Sequence, residues 1–177
     1  MSLDSILQNY QQSFKDKVHN EENDDHDVLM DAFNITPELK RQNRQYWGRE
    51  LGKMWERLVV ATCKDQPTFQ PAEKNDDDEE PYDLILDGYA IDAKYRIGSG
   101  DSGTLKKFKQ YGAKLTEQGY TPLILLLRED NLSAAITACN TGGWTILMGD
   151  QSFDFIKNKT GKDLKKYLQD NKGKFSF

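Results

Sequence analysis

The chain contains few of the residues that build disulfide scaffolds or soft-metal sites. Its 177 residues include two cysteines, Cys63 and Cys139, and two histidines, His19 and His26. The cysteines stand far apart and neither belongs to a metal-binding spacing, so both are expected to be reduced thiols in the core. The histidines lie in an acidic stretch without an apolar pattern, which predicts solvated side chains. A disulfide-stabilised fold and a structural zinc site are therefore poor explanations of this sequence.

Long apolar runs are also missing. The longest, Leu123 to Leu127, is far shorter than the roughly 18 residues that a membrane-spanning helix needs. No segment has the pattern of a signal peptide. We therefore expect a cytoplasmic protein with no membrane partner, and a chain of this length suits one domain with a hydrophobic core.

Acidic residues outnumber basic ones overall, but the basic residues are concentrated in one segment. The formal net charge is −5, which by itself argues against a protein that coats nucleic acid. Residues 1–34, however, carry eight acids and two bases, so the rest of the chain is close to neutral. Residues 94–114 contain six bases and a single acid, Asp101. Part of the chain is thus suited to phosphate contacts.

Two regions are predicted from the patterning. Residues 1–35 read as an acidic N-terminal arm with a helix near residues 3–18 and an acidic break over residues 19–27. From residue 36 to 177 we expect the main domain, in which Thr36 caps a helix that runs from Pro37 to about Cys63. A hairpin and then alternating helices and strands follow, which predicts an α/β fold with a mixed central sheet flanked by helices.

The hairpin carries the most informative spacing in the chain. Residues 81–86 and 89–94 both have strand patterns, and the Asp87-Gly88 pair between them is typical of a type I′ turn. Counting from the turn places Asp83 opposite Asp92, and the period of two puts Lys94 on the same face. Two carboxylates about 5 Å apart repel by about 3 kcal/mol at an effective dielectric near 20. A shared proton or a hard cation such as Mg²⁺ is the expected remedy.

A third acid is predicted on the preceding helix. Glu56 lies on a face that becomes apolar along the helix, where an unpartnered charge is costly. An ion pair with Arg57 or a lysine is the plain alternative for Glu56. Glu50 borders the other apolar stripe of the helix and is the rival candidate for the same role.

These residues together resemble the PD-(D/E)XK nuclease superfamily. The resemblance rests on Pro81 and Asp83 followed by the Asp92-Ala93-Lys94 triplet, and on the segment Gly52–Arg57, which resembles the helix that supplies a further acid in many such nucleases. The run from Lys94 to Lys109 resembles a type II restriction endonuclease of the ApaLI-like group. The resemblance implies a restriction-endonuclease-like core and Mg²⁺-dependent, sequence-specific cleavage of double-stranded DNA.

The same resemblance implies roles for individual residues. Asp83 and Asp92, with the Ala93 carbonyl, would bind Mg²⁺, Lys94 would be the catalytic lysine and Glu56 an accessory acid. The expected DNA contacts are Arg96, Ser99, Ser102, Thr104, Lys106, Lys107 and Lys109. A palindromic target implies a homodimer, for which residues 3–18 are a candidate contact, and a restriction enzyme implies a companion DNA methyltransferase.

Other interpretations stay open. Asp83, Asp92 and Lys94 could form a surface salt-bridge cluster, and the lysines after residue 105 could be a solvated helix face. A DNA repair or junction-resolving nuclease, or a DNA-binding protein on an inactive nuclease fold, would share the pattern. The glycines at 98, 100 and 103 match the dinucleotide-binding spacing, although the strand before them carries charged residues where such folds have apolar ones. No Gly-Lys-Ser or Gly-Lys-Thr follows, which excludes a P-loop.

Overall fold

A computed structural model describes residues 3–16 and 26–177 of the chain. The helices are α1 (Leu3–Asp16), α2 (Val28–Ala32), α3 (Pro37–Gln42), α4 (Arg44–Cys63), α5 (Ser102–Glu117), α6 (Ser133–Thr141), α7 (Asp150–Thr160) and α8 (Leu164–Asp170). The strands are β1 (Gln70–Pro71), β2 (Leu84–Leu86), β3 (Tyr89–Lys94), β4 (Thr121–Leu126) and β5 (Thr145–Met148).

The strands form a five-stranded mixed sheet in the order β1-β2-β3-β4-β5. The first three strands pair antiparallel, whereas β4 pairs parallel with both β3 and β5. Parallel neighbours need a crossover connection, and α5 and α6 supply the two that this sheet requires. The predicted α/β class with a mixed sheet is confirmed.

Each face of the sheet is covered by helices. One face packs against α2, α4, α7 and α8 through a cluster that includes Trp55, Leu84 and Ile91, and the other packs against α5 and α6 through Ile85 and Ala90. Consecutive strand residues therefore serve opposite faces, as the pleat requires. The two cysteines are buried free thiols, as expected, and burial raises their pKa values to about 11 and about 12.

The hairpin of β2 and β3 has the predicted register. Leu86 pairs with Tyr89, Ile85 with Ala90 and Leu84 with Ile91. Asp87 and Gly88 have φ values of 49° and 78°, the left-handed backbone at both central positions that a type I′ turn needs. The first strand is shorter than predicted, because β2 begins at Leu84 rather than at Pro81.

The long helix predicted from Pro37 to Cys63 is wrong, since the structure has two helices there. The break lies at Asn43, whose φ of −154° is extended and whose side chain accepts a hydrogen bond from the Tyr46 backbone at 3.1 Å. A side chain that can cap a new helix competes with continuation of the old one. The predicted Thr36 cap is present and accepts from the Leu39 backbone at 3.1 Å.

The boundary predicted at residue 35 also changes. Leu29, Met30 and Ile35 are almost fully buried in the main core, so the chain from α2 onward packs with the main domain because its apolar side chains complete that core. Residues 17–25, with most of the predicted acidic break and His19, lie outside the described residues. Within the described ranges, no helix is long and apolar enough to cross a membrane.

A buried polar network fastens α2 to the sheet. The carboxylate of Asp27, which caps α2, accepts hydrogen bonds from the Tyr95 hydroxyl at 2.6 Å and from Arg128 Nη1 at 3.1 Å. Lys40 Nζ donates to the same tyrosine hydroxyl at 3.1 Å. Lys40 and Arg128 are each only 5% exposed, and buried charges of this kind need such partners.

Candidate functional site

The two aspartates meet where β2 ends and the edge of β3 becomes open. The Asp83 backbone N–H donates to the Ile91 carbonyl at 2.8 Å, which extends the hairpin pairing one residue beyond β2. Beyond this bond, a side chain takes the place of the neighbouring strand's backbone. The Ala93 N–H donates to Asp83 Oδ2 at 2.6 Å instead of to a backbone carbonyl. The Asp83 carboxylate therefore lies against the β3 edge at Ala93, close enough to Asp92 for the two charges to interact.

Lys94 completes the group on the same strand. Its Nζ lies 3.0 Å from Asp92 Oδ1, and the Asp92 side chain is 13% exposed. The negative charge of Asp92, followed by those of Asp83 and Glu56, raises the pKa of Lys94 against the opposing effect of burial. Lys94 is thus a cation at neutral pH, and the ion pair considered from the sequence is present within the cluster.

Asp83 is held in an environment that disfavours its charge. Burial, and next the neighbouring charge of Asp92, raise the pKa of Asp83 to about 8, whereas the hydrogen bond from Ala93 acts in the opposite direction. Asp83 Oδ1 accepts no hydrogen bond from any described residue. A carboxyl in this position needs either a proton or a cation, which is what the register predicted.

Glu56, from α4, faces the same region. It is half-buried, and burial is the main cause that raises its pKa above the ordinary value. It makes no salt bridge or hydrogen bond within the described part of the chain, so the alternative of an ion pair with Arg57 or a nearby lysine is not formed. Glu50 instead forms surface ion pairs with Lys53 at 3.2 Å and Arg49 at 3.5 Å.

Two cavities flank Glu56. One, of about 420 Å³, is lined by Glu56 and Asp83, and the other, of about 220 Å³, is lined by Glu56, Ala93 and Lys94. The structure therefore brings Asp83, Asp92, Lys94 and Glu56 into one region, whereas Glu50 lines neither cavity.

The donor set suits a hard cation with few protein ligands. No group of three or more His, Cys, Asp or Glu side chains among residues 3–16 and 26–177 is arranged to hold a metal. The available donors are Asp83, Asp92 and the Ala93 carbonyl, which shares the open strand edge with the Ala93 N–H. Mg²⁺ is commonly held by one or two carboxylates with water and substrate phosphate completing its coordination. These oxygen donors fit such an ion, with Glu56 outside the ligand set.

The glycine loop before α5 is organised around Asp101. The Asp101 side chain caps the helix by accepting from the Thr104 N–H at 3.0 Å, and it also accepts from the Ser99 and Thr104 hydroxyls at 2.6 Å each. Ser102 is exposed at the start of the helix. A carboxylate thus occupies the helix N-terminus at which a dinucleotide would place its phosphates.

The basic residues predicted to contact DNA have different surroundings. Arg96 lines the smaller cavity, and its Nε donates to the Asp130 carbonyl at 2.8 Å. Lys107 is paired with Glu79, whereas Lys106 and Lys109 are exposed and form no salt bridge with a described residue. The lysines of α5 line neither cavity beside Glu56.

Sequence reasoning missed a set of basic residues on α4. Arg49 and Lys53 line the smaller cavity, and Arg57 and Lys64 line the larger one. The signal that would have identified them is their spacing, because positions four or seven apart share one helix face.

A further cavity, of about 500 Å³, lies away from the aspartates. Its lining includes Tyr82, Tyr111, Tyr120 and Lys114. It is larger than either cavity beside Glu56 but contains no pair of opposed carboxylates. The chemistry of the groups, rather than cavity size, therefore identifies the candidate site.

The function of this site is inferred from the geometry above and not from a match to a known protein. No family model, no curated protein and no solved structure matches this chain.

Proposed function

We propose that this protein is a Mg²⁺-dependent endonuclease that hydrolyses phosphodiester bonds in double-stranded DNA, of the type II restriction class. The observation that carries the proposal is the Asp83 carboxylate bound to the Ala93 N–H at the open edge of β3, where it lies beside the Asp92–Lys94 pair. The resemblance of these residues to the PD-(D/E)XK signature supports the same reading. A restriction-endonuclease-like core is part of the proposal and is compatible with the observed mixed sheet.

Each residue has a chemical task in this proposal. Asp83, Asp92 and the Ala93 carbonyl would hold the ion. Bound Mg²⁺ would offset negative charge on the scissile phosphate and lower the pKa of a bound water. Lys94, a cation held by Asp92, would orient the attacking water or donate to a phosphate oxygen as negative charge develops there. Glu56 would act beside them as an accessory acid.

A DNA repair or junction-resolving nuclease would use the same groups and differ only in substrate. A dinucleotide-binding protein agrees less well with the geometry, because Asp101 caps α5 and half-buried Asp92 and Lys94 lie on the preceding strand. A restriction enzyme would act as a homodimer on a palindromic site, in the cytoplasm, together with a DNA methyltransferase.

The test is cleavage of unmethylated phage DNA with and without Mg²⁺. Discrete fragments that require Mg²⁺ are expected from the native protein. Asp92→Asn should abolish them, whereas the matched change Asp154→Asn, at an exposed residue, should have no effect. Full cleavage by Asp92→Asn would refute the site, a smear would refute sequence specificity, and no cleavage by the native protein would refute the function.

A further inference from the structure

Four basic residues form a stripe along α4 and its C-cap, which we call the α4 stripe: Arg49, Lys53, Arg57 and the C-cap residue Lys64, whose backbone keeps the helical conformation. Spacings of four and seven residues place them on one face of the helix. All four are exposed. At 1.5 Å per residue the stripe extends over about 22 Å.

The α4 stripe is continuous with the candidate site. Its first two members line the cavity that contains Lys94, and its last two line the cavity that contains Asp83. Glu56 lies between them on the same helix and lines both cavities. A ligand that follows the stripe would therefore pass directly over the proposed metal-binding edge.

The charges of the α4 stripe are available for an external partner. Arg57 and Lys64 make no salt bridge with any residue that the structure describes. Arg49 and Lys53 share one carboxylate, Glu50, at 3.5 and 3.2 Å. All three side chains of that group are at least 36% exposed, and pairs so exposed contribute little stability and exchange readily.

We infer that the sugar-phosphate backbone of the cleaved DNA strand lies along the α4 stripe, an inference that rests on the proposed nuclease function. A stripe about 22 Å long can contact several successive phosphates of one strand. Contacts of this kind position the duplex and carry no sequence information. The lysines of α5, by contrast, lie outside both cavities of the site.

The experiment compares two pairs of substitutions with the same change of charge. Arg57→Gln with Lys64→Gln alters the α4 stripe, and Lys106→Gln with Lys109→Gln is the matched pair on α5, the rival location at which the sequence predicted DNA contacts. Binding of a labelled duplex is measured by fluorescence anisotropy in EDTA between 50 and 200 mM salt. Thermal unfolding by circular dichroism checks that both variants are folded.

Each lost phosphate contact should reduce the slope of log K against log salt by about 0.9. For the α4 pair, the affinity lost between 50 and 200 mM salt should therefore shrink by about twelvefold relative to the native protein. The α5 pair should keep the native slope.

Three results would overturn the inference. A native slope in the α4 pair, or a reduced slope in the α5 pair alone, would show that the backbone does not follow α4. Equal reductions in both pairs would show that the slope reports the lost net charge rather than a path along α4. If the native protein still cleaves DNA with Mg²⁺ in these cases, the proposed function stands. A native protein that neither binds nor cleaves duplex DNA would refute the proposed function and the inference together.

Discussion

Replacing Asp83 by asparagine should stabilise the metal-free protein while removing its response to Mg²⁺. The asparagine oxygen can still accept the 2.6 Å hydrogen bond from the Ala93 N–H, so the change removes a charge and keeps the local geometry. The charge is costly because burial and Asp92 both disfavour it. Asp83, which the proposed function requires, would thus lower the free energy of unfolding of the protein when no ion is bound.

Two figures bound the size of the effect, the larger of which includes both burial and the repulsion from Asp92. A pKa raised from 3.8 to about 8 corresponds to about 6 kcal/mol against the ionised form. Coulomb repulsion between carboxylates about 5 Å apart, at an effective dielectric near 20, is about 3 kcal/mol. We expect an effect nearer the smaller figure, because Asp83 is half-buried and solvent screens part of its charge. For a chain of this length, 3 kcal/mol corresponds to a melting temperature higher by about 8 °C.

The pH dependence has a definite sign. Between about pH 4 and pH 8 the folded state retains a proton on Asp83 that the unfolded chain releases, so the native metal-free protein loses stability as pH rises. Asp83→Asn should remove this component. Its advantage should therefore be small at pH 4 and full above pH 8.

Thermal unfolding in EDTA at pH 4.5 and pH 8.5, followed by circular dichroism, measures both quantities. In a second series, Mg²⁺ at about 100 times its dissociation constant should stabilise the native protein by about 2.7 kcal/mol and leave Asp83→Asn unchanged. Asp154→Asn is the control for loss of an exposed carboxylate. An Asp83→Asn protein that is no more stable at pH 8.5, or that still responds to Mg²⁺, would refute the reasoning.

Three further outcomes are expected. Lys94→Met should slow single-turnover cleavage at least a hundredfold, because it removes the cation beside the scissile phosphate, and a change below threefold would contradict that role. Glu56→Gln should slow cleavage about tenfold whereas Glu50→Gln should leave the rate within twofold, and the reverse pattern would identify Glu50 as the helix acid. Gly112→Ala should lower the free energy of unfolding by about 2 kcal/mol, because a Cβ there would overlap the carbonyl at the C-cap of α6. Gly48→Ala, with open space around its Cβ on α4, should raise the free energy of unfolding by about 0.5 kcal/mol in urea titrations. Equal effects of Gly112→Ala and Gly48→Ala would show that the close contact between α5 and the C-cap of α6 does not determine the stability change.

The part of the site within the hairpin could be predicted because its determinants are local. The Asp87-Gly88 turn sets the register, and register alone places Asp83 near Asp92 and Lys94 on the same side. No contact beyond about ten residues of sequence separation is involved. The strand length was overestimated because the Asp83 side chain takes over a backbone hydrogen bond, which hydrophobic patterning does not report.

The remaining features depend on contacts that the local pattern does not contain. The burial of Leu29 and Met30 results from packing of α2 against α8 and α4, and α8 lies more than a hundred residues later. The break at Asn43 depends on competition between the cap that its side chain provides for α4 and continuation of α3. The position of the α4 stripe beside the aspartates follows from how α4 lies on the sheet, so its spacing alone did not connect it to the site.

The contact that sets this position of α4 is made by Trp55, the neighbour of Glu56. Its indole N–H donates to the Leu125 carbonyl of the interior strand β4 at 3.0 Å, and the side chain is fully buried. This hydrogen bond fixes the rotation of α4 about its own axis and the position of α4 along that axis relative to the sheet. Inserting one residue between Trp55 and Glu56 would turn everything that follows by about 100° around the helix axis. Glu56 and the last two members of the α4 stripe, Arg57 and Lys64, would then all turn away from the two cavities of the site, although each side chain would still be present.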